Sequence, residues 1–121
     1  MPNHLISLDA AKEMTALYRR EMNTILAEPF REQGILAVSE TFDRAAFDTL
    51  LSETGCAAVR IYYGMSADLK VHAVVVGVNS NNEDILPSSA NALTEGDDEP
   101  VIVEESQRDP MFDTPPSPLN P

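Results

Sequence analysis

The side chains best suited to chemistry are Arg60, Tyr62 and His72, which belong to two segments with strand-like alternation. An imidazole in such a group can act as a general base. However, His72 has no adjacent Asp or Glu to orient it, and no serine lies in a Gly-x-Ser-x-Gly turn. The favoured interpretation of Arg60, Tyr62 and His72 is therefore an exposed sheet face with ordinary cross-strand pairs. The alternatives are a small polar patch formed by these three residues and a small-ligand enzyme site.

Two other chemical features are weaker. Cys56 is the only cysteine, which excludes a disulfide within one chain and a zinc site built on a cysteine pair. It follows Gly55 at the predicted C-terminal end of a helix, where the dipole disfavours a thiolate, so we expect a small buried side chain. Residues 79–84 are spaced like calcium ligands, but the sixth position is Asp84 rather than glycine and the twelfth is Ala90 rather than glutamate. We predict no catalytic residue, metal ligand or cofactor.

Charge is divided unevenly along the chain. Of the 20 acidic residues, ten follow Val78, where Arg108 is the only base, and seven of the nine prolines lie in the same stretch. Because residues 79–86 have the pattern of a hairpin, we place the boundary at Pro87. The sequence thus predicts a compact module over residues 1–87 and an acidic, proline-rich tail over residues 88–121.

The totals restrict the classes of partner. A net charge of −12 argues against direct binding to nucleic acid, because that affinity comes mainly from Lys and Arg on phosphates. The longest apolar run, residues 73–78, is far shorter than the roughly 20 residues of a membrane helix. The N-terminus lacks the basic and apolar regions of a secretory signal. We therefore expect a cytoplasmic protein with no membrane partner, whose partner is another protein or a second copy of itself.

The first helix is predicted from an amphipathic repeat. Ser7 is a typical N-cap, and Pro29 is expected to end the helix. Its inward side is predicted to carry apolar residues at spacings of three and four, namely Ala11, Met14, Leu17, Tyr18, Met22, Ile25 and Leu26.

The second helix is expected to start at Asp43 and to run to Thr54. Phe42 is placed to pack on Phe47 at this start, and Gly55 is placed to take the left-handed conformation that closes a helix.

Strands are predicted at residues 57–63 and 69–78, with turns at 64–68 and 79–82 before a short segment at 84–86. Residues 35–38 are either an edge strand or a connector. The predicted fold is α+β, with two helices packed on a small antiparallel β-meander and a largely irregular acidic tail.

The tail contains one apolar insert, Val101-Ile102-Val103. All three residues are β-branched, which favours a strand, so we predict a docking strand here. This segment can pair with a sheet edge of the same chain or of another copy, and both alternatives stay open. The residues predicted to contact a partner are Val101, Ile102, Val103, Glu104, Glu105, Phe112, Pro115, Pro116 and Pro118.

Residues 55–65, 74–79 and 115–120 together resemble a family of small uncharacterised bacterial proteins. The shared pattern is a Gly-Cys pair, an Arg-containing strand ending in Tyr-Gly, a Val-Gly-Val-Asn hairpin and a proline-rich end. In that family the end often holds two cysteines around Pro-Pro. Thr114 and Pro118 stand at those places here, so a metal or disulfide role does not carry over. The resemblance implies a shared architecture and no activity.

Three functions are consistent with these observations. The first is a non-catalytic interaction or self-assembly module that uses a sheet edge and the C-terminal tail. The second is an acidic inhibitor or immunity-type protein that masks a basic site on a toxin or nucleic-acid-binding partner. The third is a small-ligand enzyme using Arg60, Tyr62 and His72.

Overall fold

The computed structural model describes residues 4–88, 100–104, 106–109 and 114–121. The fold is α+β, as predicted. Its elements are α1 (Leu8–Glu21), a 3₁₀ turn (Glu28–Phe30), β1 (Ser39–Thr41), α2 (Arg44–Leu51), β2 (Ala58–Met65), β3 (Val71–Val78), β4 (Asp84–Ile85) and β5 (Gln107–Asp109). Strands β2, β3 and β4 form one sheet in that order, and β1 and β5 form a second.

Residue contacts group the chain into two units. One unit comprises Met1–Ser39 and Arg108–Pro121, and the other comprises Glu40–Gln107. The boundary predicted at Pro87 separates a compact module from an acidic tail, and it stays a prediction.

The first unit contains α1, which begins as predicted. The Ser7 hydroxyl accepts a hydrogen bond from the Ala10 amide at 3.0 Å. The helix ends at Glu21, well before Pro29, so the predicted length is wrong. Asn and Thr are weak helix formers, and the Asn23 side chain instead accepts a hydrogen bond from the Glu32 amide at 3.0 Å.

The predicted inward side of α1 is largely exposed. Met14 is 66% exposed, and Leu17 and Ile25 are exposed as well. Polar bonds instead connect the helix and the loops of this unit. The Tyr18 hydroxyl donates to the Ala37 carbonyl at 2.7 Å, and the buried Arg108 guanidinium donates to two loop carbonyls, of Gly34 and Ile35, both at 3.0 Å. The amphipathic repeat therefore predicted the helix, but it did not predict that much of its apolar side is exposed.

The second unit contains the antiparallel meander. Strand β2 pairs with β3 in a register that places Arg60 opposite Val76 and Gly64 opposite His72. Strand β4 continues the sheet on the other side of β3, where Gly77 lies opposite Ile85. The predicted meander is thus confirmed.

Helix α2 packs on this sheet. It begins after Asp43, and the rings of Phe42 and Phe47 lie 5.7 Å apart, as the sequence predicts. It ends at Leu51 rather than Thr54, with Ser52 as its C-cap. Gly55 has the expected left-handed backbone with φ of 78°, but it lies three residues beyond this cap and does not close the helix. Among the described residues, no helix combines the length and apolar character required to cross a membrane.

A core cluster of the second unit brings together three buried residues from separate parts of the chain: Leu50 of α2, Val75 of β3 and Val103. Val103 exchanges two backbone hydrogen bonds with Val75, at 2.8 and 2.9 Å. The predicted strand at 101–103 is therefore a single bridge within the chain. Strand β5 follows at residues 107–109, where the sequence predicted irregular structure.

Replacing Val103 with Ala is expected to lower the free energy of unfolding by about 2 kcal/mol, because it leaves a cavity beside Leu50 and Val75. The neighbouring Ile102 is exposed, so Ile102→Ala is the matched control and should cost less than about 0.5 kcal/mol. Urea denaturation of both variants measures the difference. Equal losses would show that residue 103 is not part of the core.

Candidate functional site

The two long edges of the sheet differ. The outer edge of β3 is occupied by three separate segments of the chain. Its Ala73 amide donates to the Glu40 carboxylate at 3.0 and 3.2 Å, Val75 pairs with Val103, and Gly77 lies opposite β4. The Ser106 hydroxyl also donates to Glu40, at 2.7 Å. The backbone of β3 is therefore hydrogen-bonded on both sides.

The outer edge of β2 is open in the described part of the chain. Since Val75 and Gly77 use their backbone groups away from β2, it is Val74 and Val76 that bond to β2, through Tyr62 and Arg60. The residues that alternate with these along β2 therefore direct their N–H and C=O groups away from β3. They are Val59, Ile61, Tyr63 and Met65. Among the described strands, none lies beyond β2 in the sheet order.

These same four residues form an apolar surface, which we call the β2 stripe: Val59, Ile61, Tyr63 and Met65. Successive side chains of a strand alternate between faces, so the four share one face. Tyr63 is 80% exposed, Met65 60% and Ile61 51%. Ile61 lies opposite Val75, which is fully buried under α2, so the stripe continues the core face beyond the helix.

The β2 edge lacks the usual protection against pairing. Natural edge strands are commonly guarded by charged side chains or proline. Strand β2 contains no proline, and its one charged residue, Arg60, lies on the face opposite the stripe. The sequence identified the alternation of Val59, Ile61 and Tyr63 but not their exposure, because a repeat of two is the same for a covered and an uncovered face.

The opposite face carries a polar cluster made of Arg60, Tyr62, Asn82 and Asp84. Arg60 Nη1 lies 2.5 Å from Asp84 Oδ1, the Tyr62 hydroxyl donates to the other Asp84 oxygen, and Arg60 also donates to Asn82. These bonds link β2 to β4 across β3. The Tyr62 bond to Asp84 raises the pKa of the tyrosine and, with Arg60, lowers the pKa of Asp84.

His72 is on the same face but has a different partner. Its Nδ1 lies 3.0 Å from Glu104 Oε1, without the alignment of a hydrogen bond, so the contact becomes an ion pair when the imidazole is protonated. Arg60 and Tyr62 are thus joined through Asp84, whereas His72 contacts Glu104. Sequence reasoning missed Asp84, although its place in a hairpin next to β3 was a usable signal.

Glu53, just beyond α2, is the most unusual carboxylate of this unit. Its Oε2 accepts a hydrogen bond from the Val101 amide at 2.6 Å, while the buried Oε1 has no hydrogen-bond partner among the described residues. Burial raises its pKa, and the bond from Val101 opposes that shift. A Cβ atom on Gly77 would lie 2.7 Å from Oε1 and 3.3 Å from the Cys56 sulfur, so glycine provides the space for this carboxylate.

The tail residues predicted to contact a partner lie in different surroundings. Val103 is buried, Val101 packs against the core, Ile102 is exposed, and Glu104 is the neighbour of His72. Pro115, Pro116 and Pro118 are exposed. Glu105 and Phe112 lie outside the described residues.

Within the described residues, no group of three or more His, Cys, Asp and Glu side chains is arranged to hold a metal ion. Compared with protein-family models, curated proteins and solved structures, the chain matches none. The resemblance to a bacterial family therefore stays a prediction, and function must be argued from the two sheet edges.

Replacing Asp84 with Asn should lower the pKa of Tyr62 towards its ordinary value, because the carboxylate that accepts the phenol hydrogen bond is lost. Ultraviolet titration of tyrosinate in a Tyr18→Phe/Tyr63→Phe background measures Tyr62 alone. Glu83→Gln, one residue away, is the matched control. A Tyr62 titration that is unchanged by Asp84→Asn would contradict the cluster.

Glu53→Gln should remove a pH-dependent loss of stability. Because the folded-state pKa is raised above 4.5, the folded protein binds more protons than the unfolded chain between the two values. The wild-type free energy of unfolding therefore falls as pH rises through that window, and this contribution should be absent in Glu53→Gln. Denaturant midpoints from pH 4 to 8 measure it, with the exposed Glu13→Gln as control. Parallel pH profiles for wild type and Glu53→Gln would contradict it.

Proposed function

We propose that the protein is a non-catalytic interaction module that docks a partner by adding a strand to the free edge of β2. The observation that carries this proposal is the coincidence of outward backbone groups with the β2 stripe on the same four residues. In strand addition, backbone hydrogen bonds supply affinity and alternate side chains supply specificity.

Both contributions are available at this edge. Single exposed apolar residues are ordinary on a protein surface, but a contiguous row marks an interaction site. The neighbouring part of the same face is already closed by α2 and Val103, so the surface left open has defined limits. A partner strand would extend the sheet from three strands to four.

The tail has a different place in this proposal from the one predicted. Residues 101–103 supply Val103 to the outer edge of β3, which argues for a role in closing that edge. The prolines at 115, 116 and 118 are exposed and so accessible to a partner, as is Ile102.

An acidic inhibitor that covers a basic protein is the second candidate. It is favoured by the net charge of −12, of which most lies after Val78. Its association with a basic partner should weaken steeply with salt. Apolar strand addition should not weaken in this way, so ionic strength separates the two.

The proposal is tested by affinity capture with the full chain and with Tyr63→Lys, which places a charge in the stripe without changing a backbone bond to β3. Met14→Lys, at an exposed apolar position of α1, is the matched control. We expect a bound protein, or a second copy of the chain, to be retained by wild type and Met14→Lys and lost from Tyr63→Lys. Identical retention by all three would overturn the β2 docking site.

A further inference from the structure

We infer that the strand added to β2 is β2 of a second copy, paired antiparallel about a two-fold axis. This inference rests on the proposed function and names its partner. A symmetric dimer buries the same surface on both subunits, so the surface must be complementary to itself. The residue types along β2 meet this requirement most fully in one register.

The favoured register pairs all four outward-directed residues. With the axis at Tyr62, Val59 lies opposite Met65 of the second copy and Ile61 lies opposite Tyr63 of the second copy. Each such pair exchanges two backbone hydrogen bonds, giving about eight across the interface. Every cross-strand pair on the stripe face is then apolar, and Ile61 with Tyr63 is an aromatic and β-branched pair of the stabilising kind.

The other face is compatible with the same register. Arg60 lies opposite Gly64 of the second copy, which leaves room for the arginine and keeps its bond to Asp84. Tyr62 lies opposite its own equivalent at the axis. By contrast, a shift that centres the axis on Arg60 would bring two arginines together, which is destabilising. The charge on β2 therefore selects among the registers.

Net charge gives the dimer a characteristic salt dependence. Two copies with a charge of −12 repel each other at long range, whereas the β2 interface itself is apolar apart from Arg60. Salt shortens the range of this repulsion, from about 30 Å at 0.01 M to about 8 Å at 0.15 M. Self-association through β2 should therefore strengthen as salt is added, the opposite of binding to a basic partner.

The test is light scattering after size exclusion on the full chain, over a concentration series at low and physiological salt. We expect a mass twice the monomer's 13.2 kDa, with the dimer fraction rising with salt. The double variant Ile61→Lys/Tyr63→Lys places lysine opposite lysine in the favoured register and should be monomeric. Its matched partner, Ile61→Lys/Tyr63→Glu, places lysine opposite glutamate and should dimerise again. Circular dichroism checks that each variant folds.

Three outcomes would contradict the inference or its register. A wild-type chain that stays monomeric at all concentrations removes the second copy as occupant, and the proposed function survives only if capture of another protein still depends on Tyr63. A dimer that is insensitive to both double variants uses a different surface. If the lysine–glutamate variant remains monomeric while the wild type dimerises, the register centred on Tyr62 is wrong.

Discussion

The second unit depends on how the outer edge of β3 is hydrogen-bonded. A central strand with unpaired backbone groups would be costly to bury, and Val75 and Gly77 are buried. Three separate segments together satisfy this edge: Glu40 before α2, β4 directly after the hairpin turn, and Val103 near the end of the unit. Val103 also belongs to the core cluster and Asp84 of β4 to the polar cluster, so residues that close this edge also stabilise the rest of the unit.

The sheet therefore has two different edges: the β3 edge is hydrogen-bonded, and the β2 edge is open in the described part of the chain. Strand β2 has β3 on one side, while its other side presents backbone groups together with a row of apolar side chains. The polar cluster of Arg60, Tyr62 and Asp84 stabilises β2 from the opposite face. A strand that is held firmly on one side and left unguarded on the other is suited to strand addition. The acidity of the chain then acts as a long-range repulsion that limits association.

The sequence predicted those features that local physical chemistry determines. The Ser7 cap, the Phe42 and Phe47 contact, and the alternation in β2 and β3 each depend on neighbouring residues, and each is present. Features that depend on distant partners were missed. No local pattern indicates that the Glu40 carboxylate accepts a hydrogen bond from the Ala73 amide, or that Glu53 accepts one from the Val101 amide. Only for Asp84, which joins Arg60 to Tyr62, was the position in a hairpin a usable signal. Exposure of the β2 stripe was missed as well, because an alternating pattern is the same for a covered and an uncovered face.

Amide hydrogen exchange, resolved by residue, measures the difference between the two edges most directly. In a dilute solution where the chain is monomeric, slow exchange is expected at Ala73 and Val75, whose amides are bonded to Glu40 and Val103, and fast exchange at Ile61 and Tyr63. At high concentration and physiological salt, Ile61 and Tyr63 should become protected while Ala73 and Val75 change little. Equal protection of all four amides in the dilute monomer would contradict an open β2 edge, and with it the function argued from it.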